Sequence, residues 1–229
     1  MLHKLILSIL ILNAIISPAN TPAIKDDNGI VISESISTIK ELEVGGIKQY
    51  LQIRGRDKNN PVLLFLHGGP GYAQISFAKK YQSQLEEDFV VVNWDQRGAG
   101  KSYNNNIPLE SMNLSQFLKD TNQVVDFLRK KFKVKKIYLA GHSWGSLLGI
   151  FTVKKYPEKF KAYISIGQTV NMLEGDKILY NYTLSQAKKN NNLKALSELE
   201  QIGQPPYKNI SDLMIERKWL AKYGGVERQ

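Results

Sequence analysis

Two patterns of apolar residues alternate along the chain. Pro61–Leu66 and Phe89–Trp94 are apolar at almost every position, as expected of strands buried on both faces. Lys136–Ala140 and Phe160–Gly167 read as two more strands. Between these runs lie stretches with helical character. Leu114–Phe132 is the clearest: Leu114, Phe117, Leu118, Thr121, Val124, Val125 and Leu128 share one face, and the basic end Arg129-Lys130-Lys131 complements the helix dipole. Ala73–Asp88 has helix-forming composition, and Leu147–Phe151 opens a helix expected to stop near Tyr156-Pro157. Strands alternating with helices predict an α/β fold, a mostly parallel sheet with right-handed crossovers and helices on both faces. Ahead of it, positions of alternating character from Ile36 to Ile53 turn at Gly45-Gly46 and predict a β-hairpin.

The two ends differ from this middle. Met1-Leu2-His3-Lys4 precede an apolar run, Leu5–Ile16, followed by the small residues of Ser17-Pro18-Ala19 and Thr21-Pro22-Ala23. As a helix that run would span about 18 Å against a hydrocarbon core of about 30 Å, so residues 1–23 read as a secretory signal peptide. An uncleaved anchor that associates the chain with a membrane is the competing reading, and either implies a secreted or cell-envelope location. Residues 24–35 read as a linker and 36–170 as the core. Residues 171–229 change to polar helices rich in Lys and Asn, broken at Asn190-Asn191-Asn192 and Gln204-Pro205-Pro206, and read as an inserted helical cap that is incomplete. Its aromatics Tyr180, Tyr182, Tyr207, Trp219 and Tyr223 are open to two roles, lining a pocket or packing helices. The three Asn-x-Ser/Thr sequons, at Asn113, Asn181 and Asn209, are by-products of asparagine-rich composition and receive no function.

At 229 residues with 42% hydrophobic content, the chain suffices for one real core. A formal charge of +10 raises the question of an acidic partner, but the basic residues are scattered without an interleaved aromatic stripe, so no nucleic acid is expected. The absence of cysteine excludes thiolate chemistry, and three histidines leave little for a metal site, so no metal and no cofactor are expected. Nucleophilic chemistry in this chain would use oxygen.

Gly141-His142-Ser143-Trp144-Gly145 is where such an oxygen is expected, between a buried strand and a helix. A serine on so sharp a turn has its hydroxyl pushed above the sheet, and Gly141 and Gly145 let neighbouring backbone pass. Ser143 is the candidate nucleophile. The loop His67-Gly68-Gly69-Pro70-Gly71 leaves the strand Pro61–Leu66 and offers backbone N–H groups. The N–H groups of Gly69 and Trp144 are the candidate oxyanion pair, with His67, Gly68, Pro70 and Gly71 as the supporting loop. A second glycine loop, Asp95-Gln96-Arg97-Gly98-Ala99-Gly100-Lys101-Ser102, imitates nucleotide loops but lacks the first glycine of a phosphate loop and the third of a dinucleotide loop. Asp95 and Arg97 are expected to form a charge pair that orders this loop beneath the site.

These three motifs, in this order and spacing, strongly resemble the prolyl aminopeptidase (proline iminopeptidase) family of α/β-hydrolases, with specific matches over roughly Ile36 to Gly167. The resemblance implies the α/β-hydrolase fold with C-terminal strands missing, Ser143 as nucleophile, Gly69 and Trp144 as oxyanion hole, and a small peptide, amide or ester as substrate. It also implies release of N-terminal residues of the proline type. The family places a triad acid and histidine on two strands beyond the cap, and this sequence reaches neither. His3 lies in the leader, His67 in the oxyanion loop and His142 beside the nucleophile, while Asp176 and Asp212 lie in the cap. The expectation is a fragment, inactive as given. The alternatives are a non-catalytic, envelope-associated binding protein on a hydrolase scaffold, or an esterase or amidase of the same fold.

Overall fold

The computed structural model describes residues 20–225, so most of the expected leader, 1–23, lies outside the described residues. Two compact units are present, one ending at Thr169 and one of residues 170–225.

The first unit is built on a six-stranded sheet in the order β1-β2-β4-β3-β5-β6. β1 (Ile36–Val44) and β2 (Ile47–Gly55) form the expected antiparallel hairpin. β2 runs antiparallel to β4 (Val90–Asp95), and from β4 through β3 (Val62–Leu66), β5 (Ile137–His142) and β6 (Phe160–Ile166) the sheet is parallel. Every residue of β3 and β4 is buried, as their near-continuous apolar runs require, and β4 takes the polar Asn93 and Asp95 into the interior with it. α2 (Leu114–Lys131) is capped by Asn113, whose side chain accepts from the Gln116 N–H, and it buries Phe117, Val124, Val125 and Leu128 in the main core. The sequon at Asn113 therefore reads as a helix cap. α3 (Trp144–Lys155) follows β5 without a linker.

Chain order reverses at β3, which has β4 on one side and β5 on the other. In open parallel sheets the crevice outside the carboxyl ends of the strands at such a switch point is where ligands bind. The loops leaving β3 and β5 at that point are His67–Gly71 and the turn at Ser143.

The helix expected over Ala73–Asp88 is much reduced. Only α1 (Ala78–Gln82) is α-helical, and Ser83–Glu87 is a 3₁₀ turn. The buried apolar positions here, Ala73, Ile75 and Ala78, end at the start of α1, and the remaining buried position, Glu86, is held by a buried ion pair with Arg54 at 2.7 Å. Residues 24–35, expected as a linker, are pinned. Ile24 is buried, Lys25 bridges to Val31, and the Asp26 carboxylate accepts from the N–H groups of Asn28 and Ile30.

The second unit consists of α4 (Met172–Lys189), α5 (Leu193–Ile202) and α6 (Ile210–Lys222), broken where the asparagine and proline runs stand. Asn171, Asn192 and Asn209 cap the three helices with their side chains. Tyr180 and Trp219 are buried in this unit's own core, so they pack helices. Tyr207 packs against the same core and also lines a cavity of about 370 Å³ with Met172, Asp176 and Leu213.

Candidate active site

Ser143 has φ 51° and ψ −115°, a conformation a side chain adopts only under constraint. Such a residue costs on the order of 1–3 kcal/mol and persists only when its surroundings over-determine it. Here they do. On one side the Ser143 N–H donates to the Ile166 carbonyl of β6 at 2.9 Å, and on the other its carbonyl accepts from the N–H groups of Ser146 and Leu147 in the first turn of α3. The Ser146 hydroxyl donates to the same carbonyl at 2.6 Å. Strand and helix thus grip the residue from both ends.

The flanking glycines are required by close approach. A Cβ on Gly145 would stand 2.0 Å from the Leu66 carbonyl oxygen, because α3 packs directly on the end of β3. One on Gly141 would stand 2.3 Å from the Gly145 carbonyl oxygen. The loop after β3 also comes into van der Waals contact with the serine. A Cβ on Gly68 would lie 3.4 Å from the Ser143 Cβ and 3.1 Å from His142 Nδ1. Next to it Gly69 is exposed with φ 111°, beyond the end of the β3 ladders at Leu66 and joined by a cis bond to Pro70. Gly71 is buried in the same loop. Trp144 opens α3, where the helix dipole also favours negative charge.

His67 is buried and fully engaged. Its Nε2 accepts from the Gln96 N–H at 3.1 Å, so the proton is on Nδ1, which donates to the Gly68 carbonyl at 2.8 Å. Burial pushes its pKa down to about 4, and the bond to Gly68 only partly opposes this. A neutral imidazole whose nitrogens are both occupied is a structural part of the loop. The exposed ring of His142 stands between Gly68 and Gly167, where a Cβ would be 3.9 Å from its Cδ2.

The expected pair of Asp95 and Arg97 is not formed. Arg97 binds Asp120 of α2, Nε to Oδ2 at 2.8 Å, with both side chains essentially without exposure. Its Nη2 also donates to the Gly45 carbonyl in the hairpin turn at 2.8 Å. Asp95 points elsewhere and accepts from the Lys101 N–H at 2.9 Å, and burial raises its pKa to about 7. Asp95 ends β4 and Arg97 lies in the loop that follows, so strand alternation no longer sets the direction of the Arg97 side chain. The sequence carried one sign of the true partner: Asp120 is a charged residue on the apolar face of α2, three positions after Phe117 and four before Val124. Among the described residues no group of three or more His, Asp or Glu is placed to hold a metal ion.

A family model described as alpha/beta hydrolase fold matches residues 61–198. The chain is 44% identical over 186 residues to a probable aminopeptidase, YbaC, of Bacillus subtilis (strain 168), a match that covers 80% of this chain and 58% of that protein. It is 36% identical over 118 residues to a putative proline iminopeptidase of Mycoplasma genitalium, covering 51% of this chain and 36% of that one. The chain thus spans little more than half the length of the first of these relatives and about a third of the second. Among solved structures, a proline iminopeptidase-related protein from Thermus thermophilus superposes with TM-score 0.56 at 23% identity, covering 84% of this chain and 68% of that one. That likeness is one of fold.

Proposed function

The chain belongs to the α/β-hydrolase fold family, and from that premise we propose that it is a serine hydrolase of the aminopeptidase kind, acting on a small peptide, amide or ester. The observation that carries this reading is the backbone of Ser143, held at φ 51° between β5 and α3 with Gly68 against its Cβ. In the proposed reaction the Ser143 hydroxyl oxygen attacks the substrate carbonyl carbon and gives its proton to a base. The charge that develops on the carbonyl oxygen meets the N–H groups of Gly69 and Trp144. Collapse expels the amine or alcohol, which takes the proton, and water then releases the acyl group from Ser143. Relatives named as aminopeptidases and proline iminopeptidases support the peptide end of the substrate range, with release of an N-terminal residue.

The base is the open element. His67 is ruled out for this role because it is buried and its only lone pair, on Nε2, already accepts from the Gln96 N–H while Nδ1 donates to the Gly68 carbonyl. We place the base and its acid partner on polypeptide beyond these 229 residues, a reading supported by the 58% span of the Bacillus subtilis relative. Export through residues 1–23, by a cleaved leader or by an anchor that associates the chain with a membrane, is part of the same proposal. Among the described residues no helix is long and apolar enough to cross a membrane.

A serine-reactive fluorophosphonate tests the assignment on this chain and on a longer version that extends through any downstream coding sequence. Labelling confined to the longer chain and abolished by Ser143→Ala is the expected result. Rapid labelling of the 229-residue chain would overturn the placement of the base, and labelling that survives Ser143→Ala would overturn the nucleophile.

A further inference from the structure

Gln96 is buried with no exposed surface, follows the last residue of β4, and touches both halves of the candidate site. Its backbone N–H donates to His67 Nε2 at 3.1 Å, its side-chain Nε2 donates to the His67 carbonyl at 3.2 Å, and its Oε1 accepts from the Trp144 indole N–H at 3.1 Å. The partners fix the orientation of the amide. An indole N–H can only donate and a carbonyl can only accept, so a flipped amide would lose both side-chain bonds. His67 in turn holds the Gly68 carbonyl through Nδ1, one residue before Gly69. The Trp144 ring is wedged on its other side by an edge contact with Phe117, ring centres 5.4 Å apart.

We infer that Gln96 is a positioning residue that sets the spacing of the two oxyanion donors, with one side-chain amide clamping the loop that carries Gly69 to the residue that carries the second N–H. The inference rests on the hydrolase reading for its purpose, while the clamp itself is a property of the fold. Gln96 touches no reacting atom. It acts through His67 on one side and through Trp144 on the other. A glycine-rich loop has little side-chain packing to hold it, and a buried bond at its root restricts the drift that would separate two donors aimed at one oxygen.

The test is NMR, with backbone relaxation read at the Gly69 and Trp144 amides and hydrogen exchange at the Trp144 indole N–H, in the whole chain and in two variants. Gln96→Leu removes both side-chain bonds, so the Gly69 and Trp144 amides should become more mobile and exchange at the indole should rise roughly tenfold, while amides in the middle of α2 keep wild-type relaxation and exchange. Gln96→Glu keeps an acceptor for the indole but presents an oxygen to the His67 carbonyl, so Gly69 should loosen while the Trp144 indole keeps its wild-type rate. That split is one a general loss of stability does not produce. Relaxation and indole exchange in Gln96→Leu that match wild type, or that change equally across α2 and the sheet, would overturn the inference. Fluorophosphonate labelling answers a separate question. A failure to label in any chain length would count against the hydrolase reading, and relaxation and indole exchange would still decide the clamp.

Discussion

Two buried residues with displaced pKa values lie close to the candidate site, and their effects on stability oppose each other. His67 is lowered from 6.5 to about 4, so as pH falls from 6.5 to 4 the unfolded chain takes up a proton that the folded chain refuses, and stability falls. Asp95 is raised from 3.8 to about 7, mainly by desolvation, so as pH rises from 3.8 to 7 the unfolded chain gives up a proton that the folded chain keeps. Stability falls in that direction too. Between pH 4 and 6.5 the two slopes cancel, and the pair contributes almost no pH dependence there. Asp95→Asn should expose the His67 term. In urea unfolding across that range the variant should gain about 3 kcal/mol from the acid to the neutral end, against a flat wild-type contribution. Parallel profiles for the two proteins would refute the opposition. The Arg97–Asp120 pair, both side chains inaccessible to solvent, is a simpler case. Asp120→Ala leaves a buried guanidinium without its counter-ion and should cost about 3–5 kcal/mol in the same assay.

At the scale of elements, the site is a junction of β3, β5 and α3 that allows no side chain at Gly145. The Leu66 carbonyl oxygen, 2.0 Å from where a Cβ would stand, belongs to the central strand of the sheet, so the helix has to give way. Gly145→Ala should lower stability by about 1–3 kcal/mol and shift Ser143 off its strained position, so fluorophosphonate reactivity of the longer chain should fall further than stability alone accounts for. Equal and small losses in both would show that α3 can move without disturbing the turn. These elements were legible in the sequence because they follow repeating patterns: near-continuous apolar runs for β3 and β4, an apolar stripe for α2, and Gly-x-Ser-x-Gly at the strand-to-helix turn. What was not legible follows no pattern. Gln96 joins His67 and Trp144 across 29 and 48 residues of chain, and Arg97 reaches Asp120 across 23, so neither pairing leaves a local trace. The same is true of Ala73–Asp88, where the buried Arg54–Glu86 pair and scattered apolar anchors override helix-forming composition.

Across the first unit as a whole, Arg54 ties the start of the described chain to the sheet. From β2 its Nε and Nη2 bind the Glu86 carboxylate at 2.7 and 3.1 Å, while Nη1 donates to the Thr21 hydroxyl and the Pro22 carbonyl, each at 2.6 Å, and to the Ser37 hydroxyl of β1 at 2.8 Å. The Ser37 hydroxyl also donates to the Pro22 carbonyl. Residues 21 and 22 therefore satisfy a buried cation, although by sequence they fall inside the segment that reads as a leader. This separates the two small-residue positions at which a leader could be cut. Removal after Ala19 leaves the Arg54 contacts intact, whereas removal after Ala23 strips two of the three acceptors from Nη1. An unmet buried donor costs about 1–3 kcal/mol, more when charged, and in a chain of this size each kcal/mol lowers the melting temperature by about 2–4 °C. A chain that starts at Asn20 should accordingly melt several degrees above one that starts at Ile24. Under the proposed export, protein recovered from the envelope or medium should carry Asn20 at its N-terminus. Equal melting temperatures for the two truncations would show that Arg54 finds water or other acceptors at no cost, and the preference for the earlier cut would then have no physical basis.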